Sequence, residues 1–290
     1  MNIARPFVKW VGGKRALAAA IIKHIGPVKG TYYEPFLGSG AVFFALWSAQ
    51  WVSAAHLSDI NTELILTYKV VKEQRKLLVE TLNRYLNTKS FYYNIRSLDT
   101  SKLSDLDIAA RLIYLNKTCY NGLYRVNRRG QFNVPFGNNK RTRFVDPDAL
   151  EAAARALQIA ILQVSDFEPV IDRAGPGDVI YCDPPYLPLP NQDNFTAYQQ
   201  SEFDLAEHRR LRDACLRAWR RGATVIVSNS SSPDSDALYG DPPFVIYRLS
   251  APRVVAANAA RRGHVTEILA VACGDGTCDQ SPSPSQRVVC

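Results

Sequence analysis

No acidic residue occurs between Ile108 and Val145, although the 290-residue chain carries 27 of them. The same interval holds Arg111, Lys117, Arg125, Arg128, Arg129, Lys140, Arg141 and Arg143. With 35 basic residues and a formal net charge of +8, this one-sided stretch points to a polyanionic partner. Charge alone does not separate DNA from RNA or a membrane surface. Paired cysteines are missing too. Cys119, Cys182, Cys215, Cys273, Cys278 and Cys290 form no close pairs, and the nearest two, Cys273 and Cys278, lack a second metal-binding half. Reduced thiols in a cytoplasmic protein, with no metal site, are therefore expected. No apolar run is long enough to cross a bilayer, and the opening Met1–Pro6 lacks the apolar core of a signal peptide.

Hydrophobic residues make up 47% of the chain, ample for one large α/β unit or a core domain with a smaller insertion. A helix is predicted from Ala16 to Ile25, stopped by Gly26 and Pro27. A short strand at Thr31–Tyr33 feeds the glycine turn Gly38-Ser39-Gly40, and Val42, Phe43, Leu46 and Trp47 then recur at helical spacing. A strand at Ala54–Ser58 ends on Asp59. Strand, glycine turn, helix, strand and acid form the first half of a nucleotide-binding α/β layout.

Helical patterns over Asn61–Asn87 and Asp107–Asn116 interrupt that layout, so 60–145 reads as an inserted, mostly helical domain that faces nucleic acid. Residues 1–59 and 146–273 then form a discontinuous catalytic domain. Its second half comprises a helix at Pro147–Gln158 and a strand at Ile159–Val164. The apolar run Val179–Cys182, an Asp204-capped helix reaching Arg220, a strand at Thr224–Val227 and late strands near Ile246–Leu249 and Val265–Ala272 follow. Residues 274–290, rich in Ser and Pro, are expected to be disordered.

Two segments carry chemistry. Asp183-Pro184-Pro185-Tyr186, just past Val179–Cys182, sets a carboxylate, a rigid carbonyl-bearing turn and an aromatic face at a strand mouth. Such a set suits methyl transfer to the exocyclic amine of an extruded base. Asp183 and the Pro184 carbonyl would accept the two amino hydrogens, and Tyr186 would stack on the ring. Ordinary strand termination is the competing reading, and Asp241-Pro242-Pro243-Phe244, a similar tetrad without a strand before it, is given no catalytic role. Asn194–Tyr198 and Phe203 add aromatic groups that could cover a flipped nucleotide or pack on the next helix, and Ser228–Ser231 could line the cleft or open a loop.

The second segment is Glu34-Pro35-Phe36-Leu37-Gly38-Ser39-Gly40. Gly38 and Gly40 remove side-chain bulk where a cofactor meets the backbone, and the following helix offers unpaired amides. Asp59 could accept from a ribose diol, and Glu34 could add to the polar lining. Trp10 and Lys14 offer an aromatic face and a cation for the cofactor's carboxylate, or a core residue and a surface residue. Asp166 and Phe167 could bind the cofactor adenine, though Asp166 could equally cap a helix.

At this point the chain resembles the Dam-type DNA adenine N6-methyltransferases, the D12 class. The resemblance rests on Lys9–Lys14, Glu34–Gly40, Ser58–Asn61, Leu115–Asn127, Gly130–Gly137 and Asp183–Tyr186. It implies a Rossmann-like S-adenosylmethionine-dependent methyltransferase sheet, an inserted helical DNA-recognition domain and double-stranded DNA as partner. It also implies S-adenosylmethionine as cofactor, with contacts at Trp10, Lys14, Asp59 and Asp183, which overlap the reading of the residues themselves; Glu34, Phe36, Gly38, Gly40, Asp166 and Phe167 complete the candidate cofactor site, and Asp183, Pro184 and Tyr186 are the candidate catalytic residues. By position, Arg125 would contact guanine, Leu123 a thymine methyl, and Tyr120 would intercalate or pack, with Asn121 and Gly122 in the same loop. Arg128, Arg129, Lys140, Arg141 and Arg143 would meet phosphates, and Arg253, Asn258 and Arg261 the DNA backbone. GATC is the expected target, with longer GAT-containing sites as alternatives, and a cognate restriction nuclease would be a functional partner without stable association. The competing readings are an amine methyltransferase acting on RNA or protein and a catalytically inactive DNA-binding protein.

Overall fold

The computed structural model describes residues 3–139, 144–187, 203–252 and 264–274. Lys140, Arg141, Arg143, the aromatic loop Asn194–Tyr198, Arg253, Asn258, Arg261 and the tail past Gly274 lie outside these residues. The strands are β1 (Tyr32–Glu34), β2 (Ala55–Asp59), β3 (Ala160–Val164), β4 (Val179–Cys182), β5 (Thr224–Ser230), β6 (Val245–Pro252) and β7 (His264–Ala272). The helices are α1 (Ala18–Ile25), α2 (Ala41–Ser48), α3 (Thr62–Asn83), α4 (Lys89–Ser97), α5 (Asp105–Thr118), α6 (Pro147–Leu157), α7 (Phe167–Ile171), α8 (Leu205–Arg220) and α9 (Pro233–Tyr239). None of these helices is long and apolar enough to cross a membrane.

Two compact units emerge: Met1–Arg15, Gly38–Ala49 and Asp59–Val164 form one; Ala16–Leu37, Gln50–Ser58 and Ser165–Cys290 form the other.

The second unit is built on strands in the order β2-β1-β4-β5-β7-β6. β2, β1, β4 and β5 run parallel, and β7 enters antiparallel between β5 and β6. Every residue of β1, β4 and β5 is buried, as expected for parallel strands covered on both faces. Alternate residues Ile180 and Cys182, Val225 and Val227, and Ile268 and Ala270 share one core cluster. Onto it α8 lays Leu211, Ala214, Cys215 and Ala218, which recur at the helical period. Each large aliphatic side chain so buried contributes roughly 1.5–3 kcal/mol. Asp204 starts α8 by accepting from the Glu207 amide. Cys182 and Cys215 are free thiols, but Cys273 is disulfide-bonded, which corrects the expectation of reduced cysteines at that position.

In the first unit Asn61, Thr88 and Ser104 cap α3, α4 and α5 through their side-chain oxygens. Arg111 on α5 is buried. It donates to the Ile95 and Arg96 carbonyls at the end of α4 and lies 3.6 Å from Glu63. The negative end of α4 and one carboxylate therefore hold this cation, and Arg111 is a structural arginine despite its place in the basic interval. After α5 the chain forms a hairpin rather than another helix. Cys119 bridges Phe136, Val126 bridges Phe132, and the Asn133 amide donates to the Arg125 carbonyl. At its tip the Asn127 side chain accepts from the Arg129 and Gln131 amides, and Gly130 has φ +73°.

Candidate active site and DNA-reading hairpin

β4 delivers Asp183. Val179–Cys182 is fully buried between β1 and β5, so the chain leaves the sheet interior at its carboxyl end. The two prolines that follow end the ladder. Pro184 and Leu187 are buried, while Asp183 and Tyr186 are half-buried. The Tyr186 hydroxyl donates to Glu267 Oε2 on β7 at 2.7 Å. Burial first, then the Asp183 charge, pushes the Tyr186 phenol well above its ordinary range, so it stays protonated and keeps this donor.

The turn is also gripped from β5. The Leu187 amide donates to Asn229 Oδ1 at 3.2 Å, and Ser230 Oγ donates to the Leu187 carbonyl at 2.8 Å. The Ser230 amide shares the same Asn229 oxygen at 2.8 Å. His208 on α8 lies fully buried behind Asn229, its Nδ1 at 3.5 Å from the side-chain nitrogen. Burial lowers its pKa to about 4. Ser228, Asn229 and Ser230 thus belong to a strand, not to the start of a loop.

Glu34, at the end of β1, is buried and accepts from the Tyr32 hydroxyl at 3.0 Å. Phe36 stacks on Phe167 at 5.4 Å and meets the edge of Phe203. Asp166 caps α7 through the Glu168 amide, and both its oxygens accept from Arg210 at 2.8 Å. Arg210 also binds Glu168 and Glu207 and lies 4.0 Å above the Phe167 ring. Asp166 is therefore a helix cap engaged by an arginine, and Phe167 is buried in the core cluster. The tetrad Asp241–Phe244 lies in the turn before β6, where Phe244 is buried against Tyr239.

The first unit collects the remaining cofactor candidates. The Gly38 amide donates to Asp59 Oδ2 and the Asn61 amide to Asp59 Oδ1, both at 2.9 Å. Burial raises the Asp59 carboxyl and these amides oppose it. The Tyr68 hydroxyl donates to the Gly38 carbonyl at 3.1 Å. Trp10 stacks on Tyr124 with centroids 4.7 Å apart. Lys14 is buried, with Nζ bonded to the Gly12 carbonyl at 2.6 Å. Gly40 caps α2 in the left-handed region, φ 66°, a conformation open to glycine without strain. The donor set is a carboxylate, an indole face and a buried ammonium, which matches the diol, ring and carboxylate of an adenosine-bearing amino acid.

The hairpin presents Tyr120, Asn121, Arg125, Arg128 and Arg129 exposed, with Leu123 half-buried and Gly122 buried. Gly122 has φ +66°, a left-handed backbone that favours glycine, and a Cβ there would press on the Lys9 side chain. Arg125 Nε donates to Asn133 Oδ1 at 2.7 Å across the hairpin, which steers its guanidinium. The hairpin base is anchored where the Tyr92 hydroxyl donates to the Val134 carbonyl at 2.8 Å. Lys117, at the end of α5, lines a pocket of about 200 Å³ with Arg5, Arg15 and Asp146. Burial and its neighbours Lys9 and Arg15 push its pKa down to about 8.

Glu267, His208, Arg210 and Tyr124 carry no individual site expectation from sequence, whereas Asn229 falls in the Ser228–Ser231 segment expected to line the cleft or open a loop. Only Glu267 left a clear signal, a lone acid in Val265-Thr266-Glu267-Ile268-Leu269-Ala270-Val271-Ala272.

A parallel sheet with an antiparallel β7, and a proline-closed acidic turn at the carboxyl end of β4, define an α/β methyltransferase of the Rossmann-like kind. Residues 10–255 match the family described as D12 class N6 adenine-specific DNA methyltransferase, and the chain belongs to that family. It is 38% identical over 274 residues to the type II methyltransferase M1.LlaDCHI of Lactococcus lactis subsp. cremoris, covering 91% of this chain and 94% of that one. It is 32% identical over 275 residues to the DNA adenine methylase of Escherichia coli K12, covering 93% and 96%. The DNA N-6-adenine-methyltransferase of Escherichia phage P1 is 36% identical over 271 residues, but the match spans 92% of this chain and only 35% of the phage protein. The chain is thus an S-adenosylmethionine-dependent adenine DNA methyltransferase.

Proposed function

We propose that this enzyme methylates adenine N6 within GATC in double-stranded DNA, taking the target base out of the helix into the Asp183–Tyr186 turn. The observation that carries the reading is the braced turn itself: a half-buried carboxylate and an aromatic ring, with the ring's hydroxyl and the following backbone both tied to the sheet.

When bound, S-adenosylmethionine supplies an electrophilic sulfonium methyl. Asp59 takes the ribose hydroxyls, Trp10 covers an apolar edge and Lys14 meets the amino-acid carboxylate. Gly38 and Gly40 let the backbone approach, Glu34 adds acidic lining, and Phe36 and Phe167 provide the apolar wall. Asp166, held by Arg210 beside the Phe167 ring, accepts from the cofactor's adenine amino group. The adenine amino group is a poor nucleophile because its lone pair is delocalised into the ring. Asp183 and the Pro184 carbonyl accept its two hydrogens, which favours a tetrahedral nitrogen with its lone pair directed outward. Tyr186 holds the extruded ring by stacking. The chemistry needs neither a metal nor a covalent enzyme intermediate.

On the DNA side Arg125 reads guanine, Leu123 meets a thymine methyl and Tyr120 enters the stack. Asn121 and Gly122 shape that approach. Arg128 and Arg129 take phosphates, and Lys117 is a further cation facing the same polyanion. Lys140, Arg141 and Arg143 retain their expected phosphate role. A cognate restriction nuclease remains a functional rather than a physical partner. Methylation-sensitive sequencing of random duplex DNA treated with purified enzyme and methyl donor tests the whole reading. Modified adenine confined to GATC is the expected result; methylation of another base or another site overturns it.

A further inference from the structure

The Asp183–Leu187 turn is tied to the sheet at two adjacent points that differ in kind. Asn229 and Ser230, on β5, hold the backbone of Leu187 by two hydrogen bonds. Glu267, on β7, holds only the far end of the Tyr186 side chain. These two points face each other in the sheet, since Ser230 pairs with Glu267 in the β5–β7 register. The backbone grip fixes where Tyr186 starts. A phenol ring still has two side-chain torsions, and its plane is set only when its far end is also anchored.

Glu267 is half-buried at the point where the strand passes from exposed Thr266 to the buried aliphatic run Ile268–Ala272. An acid there is costly to desolvate unless it accepts hydrogen bonds. A phenol donating to a carboxylate makes a charge-assisted bond, shorter and stronger than a neutral one, and 2.7 Å is in that range. The ring that would stack on the target base is thus oriented by a carboxylate that itself need touch neither reactant.

We propose that Glu267 is a positioning residue, which sets the plane of the Tyr186 ring and thereby the seating of the extruded adenine. The inference rests on the reading of Tyr186 as the stacking residue. Its carboxylate acts only as an acceptor, so Glu267→Gln, which keeps an acceptor oxygen, replaces it, whereas Glu267→Ala does not.

The test uses the full chain and a duplex carrying 2-aminopurine at the target adenine, whose fluorescence reports unstacking and restacking of the base. It is combined with steady-state kinetics of Tyr186→Phe, Tyr186→Ala, Glu267→Gln, Glu267→Ala and the Tyr186→Phe/Glu267→Ala pair. Glu267→Ala and Tyr186→Phe are expected each to lower kcat by on the order of ten-fold, with KM for the methyl donor unchanged and an altered 2-aminopurine signal. Glu267→Gln should restore most of the rate, and the double variant should be no slower than either single one. Wild-type kcat in Tyr186→Phe, or losses that multiply in the pair, would overturn the inference while an inactive Tyr186→Ala kept the stacking reading intact. An active Tyr186→Ala with normal base capture would remove that reading and the inference with it. If Glu267→Ala fails to fold, Tyr186→Phe and Glu267→Gln still decide the matter: a normal rate in the first, or an inactive but folded second, rejects the role.

Discussion

Trp10 closes against Gly38: a Cβ at position 38, where φ is +47°, would lie 2.9 Å from Trp10 Cδ1. The glycine is required twice over, once by the backbone and once by the indole. Its amide is meanwhile committed to Asp59 at 2.9 Å, so any shift of this turn also moves the carboxylate assigned to the ribose.

Gly38→Ala should therefore lower stability by roughly 1–2 kcal/mol and weaken methyl-donor binding more than DNA binding. Thermal melting and donor titration check both effects. Removing the indole in a Trp10→Ala/Gly38→Ala pair relieves the contact but not the positive φ, so only part of the stability should return. Full recovery would mean that the backbone conformation imposes no strain.

Asp183→Ala is expected to cut turnover by about 10²-fold or more, as when a group that stabilises developing charge is removed, while DNA affinity stays near wild type. Single-turnover methylation and gel-shift titration separate the two. Asp183→Asn, which keeps one acceptor oxygen, should lie between. Substantial turnover in Asp183→Ala would remove the amine acceptor from the mechanism.

His208 gives the fold a predictable response to acid. Burial lowers its pKa to about 4 from an ordinary 6.5, so between these values the unfolded chain binds a proton that the folded chain refuses. Stability contributed by neutral His208 is complete above pH about 6.5 and is lost progressively as pH falls toward about 4. The limiting slope is about 1.4 kcal/mol per pH unit. Urea unfolding at several pH values should show a shallower decline in His208→Gln than in wild type over that window. Identical slopes would mean that the histidine takes up its proton in the folded state.

The sequence carried the strands and the glycine turn because their signals are local. Val179–Cys182 is a continuous apolar run, and it forms β4 over those same residues. The turn at Gly38 and Gly40 has the positive φ values that such a motif demands. Helix α4 leaves a weaker local trace, since Lys89–Ser97 spans little more than two turns and buries only Tyr92 and Ile95. The hairpin after Cys119 was folded into a helical domain because its pairing rests on isolated bridges and side-chain caps, not on alternation. Arg111 is indistinguishable in the basic interval from its exposed neighbours, because composition cannot tell a buried arginine from an exposed one. The bracing of Tyr186 by Glu267 and of Leu187 by Asn229 spans 81 and 42 positions, and no local pattern reports contacts at such separations.

Arg125 and Arg129 sit on one hairpin, yet their surroundings assign them different work. Arg125 is held by Asn133 across the hairpin at 2.7 Å, and an oriented guanidinium can make the two-pronged contact that distinguishes guanine. Arg129 follows the Asn127 turn at the exposed tip, where its amide, not its side chain, is engaged. Arg125→Ala should relax discrimination at one guanine by roughly 1–3 kcal/mol, and Asn133→Ala should produce a weaker form of the same defect. Arg129→Ala should weaken all duplexes alike and lower the salt dependence of binding by about one unit of slope. Competition binding against single-base variants of the site, repeated at several salt concentrations, distinguishes the two. A loss confined to one base pair in Arg129→Ala, or unchanged discrimination in Arg125→Ala, would reverse the assignment.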